Sequence, residues 1–160
     1  MNQNIWGPHL WFSLHTISFN YPLIPTNEDK DNYKMFYVSM QHVIPCSICK
    51  KNYIRHLKEH PIEKHLNSRK LLVYWVIDIH NMVNSEIGKK ILSYDKIIKK
   101  YETVYNKKII LEGDDNDIEN DIVKQNINYV QIINGFFIIF IVLLIINLIN
   151  IFIVKKKLKL

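Results

Sequence analysis

The sequence predicts an all-α protein: a small bundle with a four-helix core and a short fifth helix, followed by a C-terminal transmembrane helix. Three observations predict it. Apolar residues recur at helical spacing through residues 5–105, with no alternating strand pattern among them. Pro and Gly punctuate the chain where short helix connections would fall. Residues 132–154, IINGFFIIFIVLLIINLINIFIV, carry no charge, and about 20 apolar residues are enough to cross a bilayer as a helix.

The first helix is expected over residues 5–21, where Trp11, Leu14, His15 and Ser18 share helical spacing and Pro22 and Pro25 end the pattern. A second runs from about Asp29 to Ile44, with Met35, Phe36, Val38, Met40 and Val43 as its apolar side, and Pro45 breaks it. The third starts at Cys46-Ser-Ile-Cys49 and continues to about Glu59, before Pro61. Asn67 or Ser68 suits the cap of a fourth, whose stripe is Leu72, Trp75, Val76, Ile79 and Val83 and whose stop is Gly88. Ser93 to Tyr105 is the short fifth helix. About 105 residues can bury one core as a helical bundle. The organisation is therefore a domain over 1–105, an acidic linker over 106–131, a span over 132–154 and a basic tail over 155–160. Within the linker, Ile109–Leu111 can pack back on the bundle. Asn134, Asn147 and Asn150 are polar exceptions in the span that a helix-packing face tolerates.

The net charge of +6 is segregated. The first 111 residues hold 16 of the 21 Lys and Arg and 9 of the 15 Asp and Glu, so the domain is basic. Its charges are scattered over several segments without a recognition motif, which argues against nucleic acid. A solvated basic surface that steers an acidic protein partner is the expected reading. Lys155–Lys159 would favour a cytoplasmic tail by the positive-inside rule. The amino terminus has no charged-then-apolar signal segment, which points instead to a tail-anchored protein with a cytosolic domain. The second expectation is preferred.

Cys46 and Cys49 are the only cysteines. One CxxC leaves three readings: a redox disulfide, half of a metal site, or two buried structural thiols. At a helix start, free N–H groups favour a thiolate, the species that exchanges with disulfides. Zinc would require His56 and His60 as the other ligands. The gap from Cys49 to His56 is shorter than the usual finger spacing, and both histidines would lie more than two helical turns from the thiols. A thioredoxin places its CxxC after a strand in an α/β pattern, and no such pattern is present.

Two further segments bear on the choice. Trp11 and His15 are four apart on one helix face, as are His80 and Asn84, with Asn81 beside them. Indole and imidazole rings can sandwich an adenine or flavin, amide side chains can reach ribose or phosphate, and Lys89 and Lys90 suit a pyrophosphate. No GxGxxG or GxxxxGK loop occurs, so a cofactor would bind helix faces.

Taken together, Trp6-Gly7, Trp11, Leu14-His15, Tyr21-Pro22, Cys46-Ser-Ile-Cys49, His80-Asn81-Met82-Val83-Asn84 and Ile87-Gly88-Lys89 resemble the flavin-linked sulfhydryl oxidases of the Erv/ALR type, in order and spacing over about residues 5–95. The resemblance implies a bundle around FAD, usually a homodimer. Electrons would flow from substrate thiols through the CxxC disulfide to flavin and then to O2, giving H2O2. It implies that Cys49 is the flavin-proximal thiol and Cys46 the one attacked by substrate. Gly7, Trp11, His15, Tyr21, Cys49, His80, Asn81, Val83, Asn84 and Lys89 become cofactor contacts, with Gly7 allowing close backbone approach.

Three departures stand out. Pro8 replaces a usual basic residue. Ile77 and Tyr94 occupy the places of a structural cysteine pair, so apolar packing must hold the fifth helix. No extra shuttle CxxC is present, so Cys46 would receive electrons directly from a thiol-bearing protein or thioredoxin-like carrier. The minimal core resembles oxidases of large DNA viruses, which implies an anchor in a virion or intracellular membrane.

Overall fold

The computed structural model describes residues 2–113 and 115–158, with side chains of the last helix described at residues 127, 130–151 and 153. Among the described residues there are six α-helices, one short 3-10 helix and no strand.

Helix α1, Gln3–Phe19, is capped by Asn2, whose side chain accepts the Asn4 N–H at 3.0 Å. Pro8 lies inside it and supplies no N–H for the helical ladder. Helix α2, Asn27–Val43, begins with a capping box: the Asp29 N–H donates to Thr26 Oγ1 at 3.1 Å and the Thr26 N–H donates back to Asp29 Oδ2 at 2.8 Å. Helix α3, Ser47–Glu59, has Cys46 as its N-cap. The 3-10 helix Ile62–His65 follows Pro61; four residues are too few to leave a periodic signal. Helix α4, Arg69–Glu86, is capped by Ser68, which accepts the Leu71 N–H at 3.3 Å. Gly88 follows with φ +66°, the left-handed conformation that stops a helix. Helix α5 is Tyr94–Tyr105.

Helix α4 is the central element, in contact with α1, α3, α5 and the 3-10 helix, while α2 packs on α3. Its Leu72, Trp75, Val76 and Ile79 are buried with Leu14, Tyr21, Tyr37, Tyr53 and Ile62 in the main core. The four buried Tyr and Trp side chains of this core each donate to a backbone carbonyl on another segment. Tyr21 Oη donates to Leu66 O at 2.8 Å, Tyr37 Oη to Leu14 O at 2.8 Å, Tyr53 Oη to Tyr37 O at 2.9 Å and Trp75 Nε1 to His60 O at 2.8 Å. A buried hydroxyl without such a partner would cost about 1–3 kcal/mol, so these bonds fix how the segments register.

The expected apolar side of α2 holds at Val38 and Met40, which pack on the main core, and is corrected at its other three positions. Met35 and Val43 are well exposed and Phe36 lies at the surface, whereas Tyr37 is the buried residue of the helix. The tyrosine wins because its ring fills the core and its hydroxyl is satisfied there.

A second cluster, Val73, Ile77, Ile97 and Tyr101, joins α4 to α5, and Ile109 and Leu111 pack on it. Ile77 is fully buried. Tyr94 stacks on Tyr74 with ring centroids 4.0 Å apart, and its hydroxyl donates to Asp78 Oδ1 at 2.7 Å. Apolar and aromatic packing thus occupies the two positions where a cysteine pair was expected to be missing.

Residues 115–158 form helix α6, Asp115–Leu158, so residues 115–131 are helical where a linker was expected. No Gly or Pro lies between 115 and 131, and a helix once nucleated propagates one bond at a time. The chain divides into two units, 1–118 and 119–160. The second contains Val130–Ile151, 22 residues of mean hydropathy 2.9 with none of that surface buried by protein. The expected basic tail falls partly on α6, up to Leu158; Lys159 and Leu160 lie outside the described residues.

Candidate active site

The chain leaves α2 at Val43, passes Ile44 and Pro45, and re-enters a helix at Cys46. Cys46 and Cys49 form a disulfide with their Cα atoms 5.2 Å apart. The Cys49 N–H donates to Cys46 Sγ at 3.2 Å, so a sulfur is the side-chain cap of α3. Gln3 Oε1 of α1 lies 3.5 Å from Cys49 Sγ and 4.0 Å from Cys46 Sγ.

Both cysteines line a cavity of about 920 Å³ bounded by α1, α3, the C-terminal end of α4 and α5. That volume is in the range of pockets that hold a large organic ligand. Of the expected contacts, Gly7, Trp11, Cys49, His80, Val83, Asn84 and Lys89 line it. Trp11 and His80 stack on one another, centroids 4.1 Å apart and planes 5° from parallel. No ring fits between them, so the expected sandwich is replaced by a two-ring platform. A methyl added at Gly7 would meet no protein atom within 4 Å; the space in front of that backbone is open.

Three expected contacts sit elsewhere. His15 is buried behind the platform, with its Nε2 2.9 Å from His80 Nδ1. Tyr21 is fully buried in the core, and its hydroxyl is committed to Leu66. Asn81 clips the connection after α4: its Nδ2 donates to Leu92 O at 2.9 Å, and its Oδ1 accepts the Leu92 N–H at 3.0 Å. Of the three, His15 touches the lining through His80, Asn81 through Leu92, and Tyr21 is committed to the core.

Electrostatics sort the lining. Burial holds His15 down at about 3, aided by His80 and Lys100. Burial likewise lowers His80 to about 4, aided by Lys100 and Lys89. Both imidazoles are therefore neutral at pH 7, and one N–H lies between them. Lys89, Lys90 and Lys100 supply positive charge. Glu86 is the one carboxylate among the lining residues, and it is already engaged. Asn52 Nδ2 donates to its Oε2 at 2.9 Å, Arg55 pairs with its Oε1, and His56 Nε2 approaches the same oxygen at 3.2 Å. A buried donor, Trp6 Nε1, lines the cavity without a protein partner. The lining is thus suited to a flat, anionic ligand with hydrogen-bonding edges.

His56 and His60 do not join the cysteines. His56 is buried against Glu86, with burial lowering its pKa, and His60 Nε2 lies 3.5 Å from Asp78. Among the described residues no group of three metal-ligating side chains converges, so the four-ligand zinc arrangement is not formed. Sequence reasoning missed Gln3, Asn52, Glu86, Lys100 and Tyr101. The last two lie on α5, whose approach to the cavity has no local signature in the chain.

Fold and site define a class: an all-helical domain with a disulfide in the wall of an aromatic, lysine-edged cleft, the outline of a cofactor-binding thiol–disulfide oxidoreductase. Residues 8–102 match the Erv1/Alr family, and the chain belongs to it. It is 43% identical over 103 residues to a probable FAD-linked sulfhydryl oxidase of Acanthamoeba polyphaga mimivirus, covering 64% of this chain and 72% of that protein. It is 31% identical over 83 residues to the mitochondrial FAD-linked sulfhydryl oxidase ERV1 of Saccharomyces cerevisiae, covering 52% of this chain and 43% of the yeast protein. The crystal structure of the FAD binding domain of Erv1 from Saccharomyces cerevisiae superposes with a TM-score of 0.60 at 27% identity, covering 64% of this chain and 96% of that one.

Proposed function

We propose that this chain is an FAD-dependent thiol oxidase that forms disulfides in protein substrates. The carrying observation is the Cys46–Cys49 disulfide in the wall of the same cavity as the Trp11–His80 platform and Lys89. Two substrate thiols and O2 would become one disulfide and H2O2. Bound FAD would supply the two-electron acceptor that reoxidises the dithiol and passes the pair to O2.

The residues present fit that group. Trp11 and His80 offer a flat face, Lys89 and Lys90 offer charge for a diphosphate, and Asn84 and the unpartnered Trp6 Nε1 offer polar contacts. The open space before Gly7 is the room a close-lying ligand would use. His15 holds the His80 ring in place. Keeping both histidines neutral avoids adding cations beside an electron acceptor.

The protein's own step is thiol–disulfide exchange. A substrate thiolate attacks Cys46 Sγ, the S–S bond breaks, and Cys49 leaves as thiolate. A second substrate thiolate attacks the substrate sulfur of the mixed disulfide and releases Cys46. The departing Cys46 sulfur sits where the Cys49 N–H and the start of α3 stabilise negative charge. The thiol donor is a protein or a thioredoxin-like carrier.

We read the 130–151 segment as a single-pass anchor, because its apolar surface is long enough and uncovered by protein. The membrane would be intracellular or that of a virion, with the catalytic unit on the cytosolic side and the working form a homodimer. Membrane flotation with protease protection tests the anchor, and sedimentation in detergent tests the dimer. The central test is the visible spectrum of the full chain purified in detergent with added FAD. Yellow protein that bleaches with dithiothreitol and recovers in air, releasing peroxide, is the expected result. Colourless protein would overturn the reading.

A further inference from the structure

One face of α3 is turned away from the core, and it meets the cavity only at the rim, through Ile48. Cys49, Tyr53 and His56 turn inward, whereas Ile48, Lys51, Arg55 and Lys58 recur at three- and four-residue spacing and are all exposed. Ile48 stands between the two cysteines and is 73% exposed; Val43, just before the disulfide loop, is 66% exposed. Singly exposed apolar residues are ordinary. These two flank a bond that must meet a macromolecular thiol, and cations follow directly along the helix.

The face is cationic as far as Lys58, and Glu59, exposed in the last turn four residues beyond Arg55, is its one carboxylate. Residues 32–58 contain no Asp or Glu. Lys51 is three residues beyond Ile48, and Lys58 is ten, about 15 Å along the axis. Arg55 is held by Glu86 and contributes no free charge. Among the described residues Lys51 and Lys58 form no salt bridge, and 15 Å is the length of about five residues of extended chain.

Building on the thiol-oxidase reading, we propose that this face of α3 is the docking surface for an acidic, thiol-bearing protein segment, with an apolar residue beside its cysteine resting on Ile48 and carboxylates facing Lys51 and Lys58. A cationic surface beside the reactive bond raises the encounter rate of an anionic partner and disfavours a cationic one. Small uncharged thiols reach the disulfide without this surface.

The test uses the full FAD-loaded chain in detergent and follows O2 consumption. Three substrates are compared: dithiothreitol, a reduced dithiol peptide with Leu beside its cysteine and Asp and Glu flanking, and the same peptide with Lys in place of the acids. The acidic peptide is expected to show a kcat/KM about tenfold above the basic one at about 10 mM salt, the preference falling toward unity near 0.5 M. Lys51→Glu with Lys58→Glu should invert the preference while dithiothreitol oxidation stays at the wild-type rate. Ile48→Ser, compared at equal FAD content because Ile48 borders the cavity, should raise KM for the acidic peptide severalfold with kcat retained. Equal kcat/KM for the two peptides at low salt, with dithiothreitol oxidised normally, would overturn the docking surface and leave the oxidase reading standing. Absence of dithiothreitol oxidation would overturn both. A peptide preference that vanishes in nanodiscs of anionic lipid and persists in zwitterionic ones would assign the cations to headgroups and overturn the proposal.

Discussion

Gly7→Ala separates folding from ligand binding at one position. Gly7 lies within α1, and a Cβ there would meet no protein atom within 4 Å. Replacing a helix-interior glycine by alanine gains about 0.5–1 kcal/mol, because the unfolded chain loses freedom, and crowding of the new Cβ by Pro8 offsets part of that gain. For a domain of about 100 residues this is about 2–8 °C in Tm. The ligand-free variant should therefore melt higher than the wild type. If a cofactor lies against that backbone, the new methyl group intrudes on it, and overpacking costs about 1–3 kcal/mol. That corresponds to about 5- to 150-fold weaker FAD binding. The assays are thermal melting of ligand-free protein in detergent and FAD titration by flavin fluorescence. A stabilised variant with unchanged FAD affinity would refute the close approach. A variant destabilised by well over ~1 kcal/mol, more than crowding against Pro8 accounts for, would refute the open space itself.

Other outcomes follow from the same geometry. Cys49→Ser should keep the yellow colour and abolish dithiothreitol-driven peroxide; turnover at the wild-type rate would contradict its role. His15 and His80 are lowered to about 3 and about 4 in the fold, below the ordinary value near 6.5. The unfolded chain then binds more protons as pH falls below about 6.5, so stability is full above that value and declines toward pH 4. A Tm that stays flat between pH 7 and 4.5 would contradict the neutral pair. Ile77→Ala removes a fully buried side chain from the α4–α5 contact and should cost about 2–5 kcal/mol in chemical denaturation. Tyr94→Phe deletes the bond to Asp78 and should cost about 1–2 kcal/mol.

Much of this was legible because the local signals agree. Ser68 as a cap, the Leu72–Trp75–Val76–Ile79 stripe and Gly88 as a stop all read directly from the chain and recur in α4. The position of Cys46 before a helix followed from Pro45. The α2 face was legible at Val38 and Met40 but not at Tyr37, which counts as polar by its hydroxyl although Leu14 O satisfies that group inside the core. The site was legible as a set of residue types and less so as a division of labour. His15, Tyr21 and Asn81 belong to the motif, but their partners are His80, Leu66 and Leu92, brought near only by tertiary packing. Lys100 and Tyr101 reach the cavity from α5, and Glu86 is held by Asn52 and Arg55 across the α3–α4 contact.

The tyrosine and tryptophan ties to main-chain oxygen, with the Tyr74–Tyr94 stack, hold the scaffold without sulfur. The chain has no third thiol that could form a mispaired bridge. Opening and closing the one S–S bond in the proposed cycle would therefore leave these ties intact. The fold should survive a reducing milieu that would unravel a domain whose integrity depends on its own cystines.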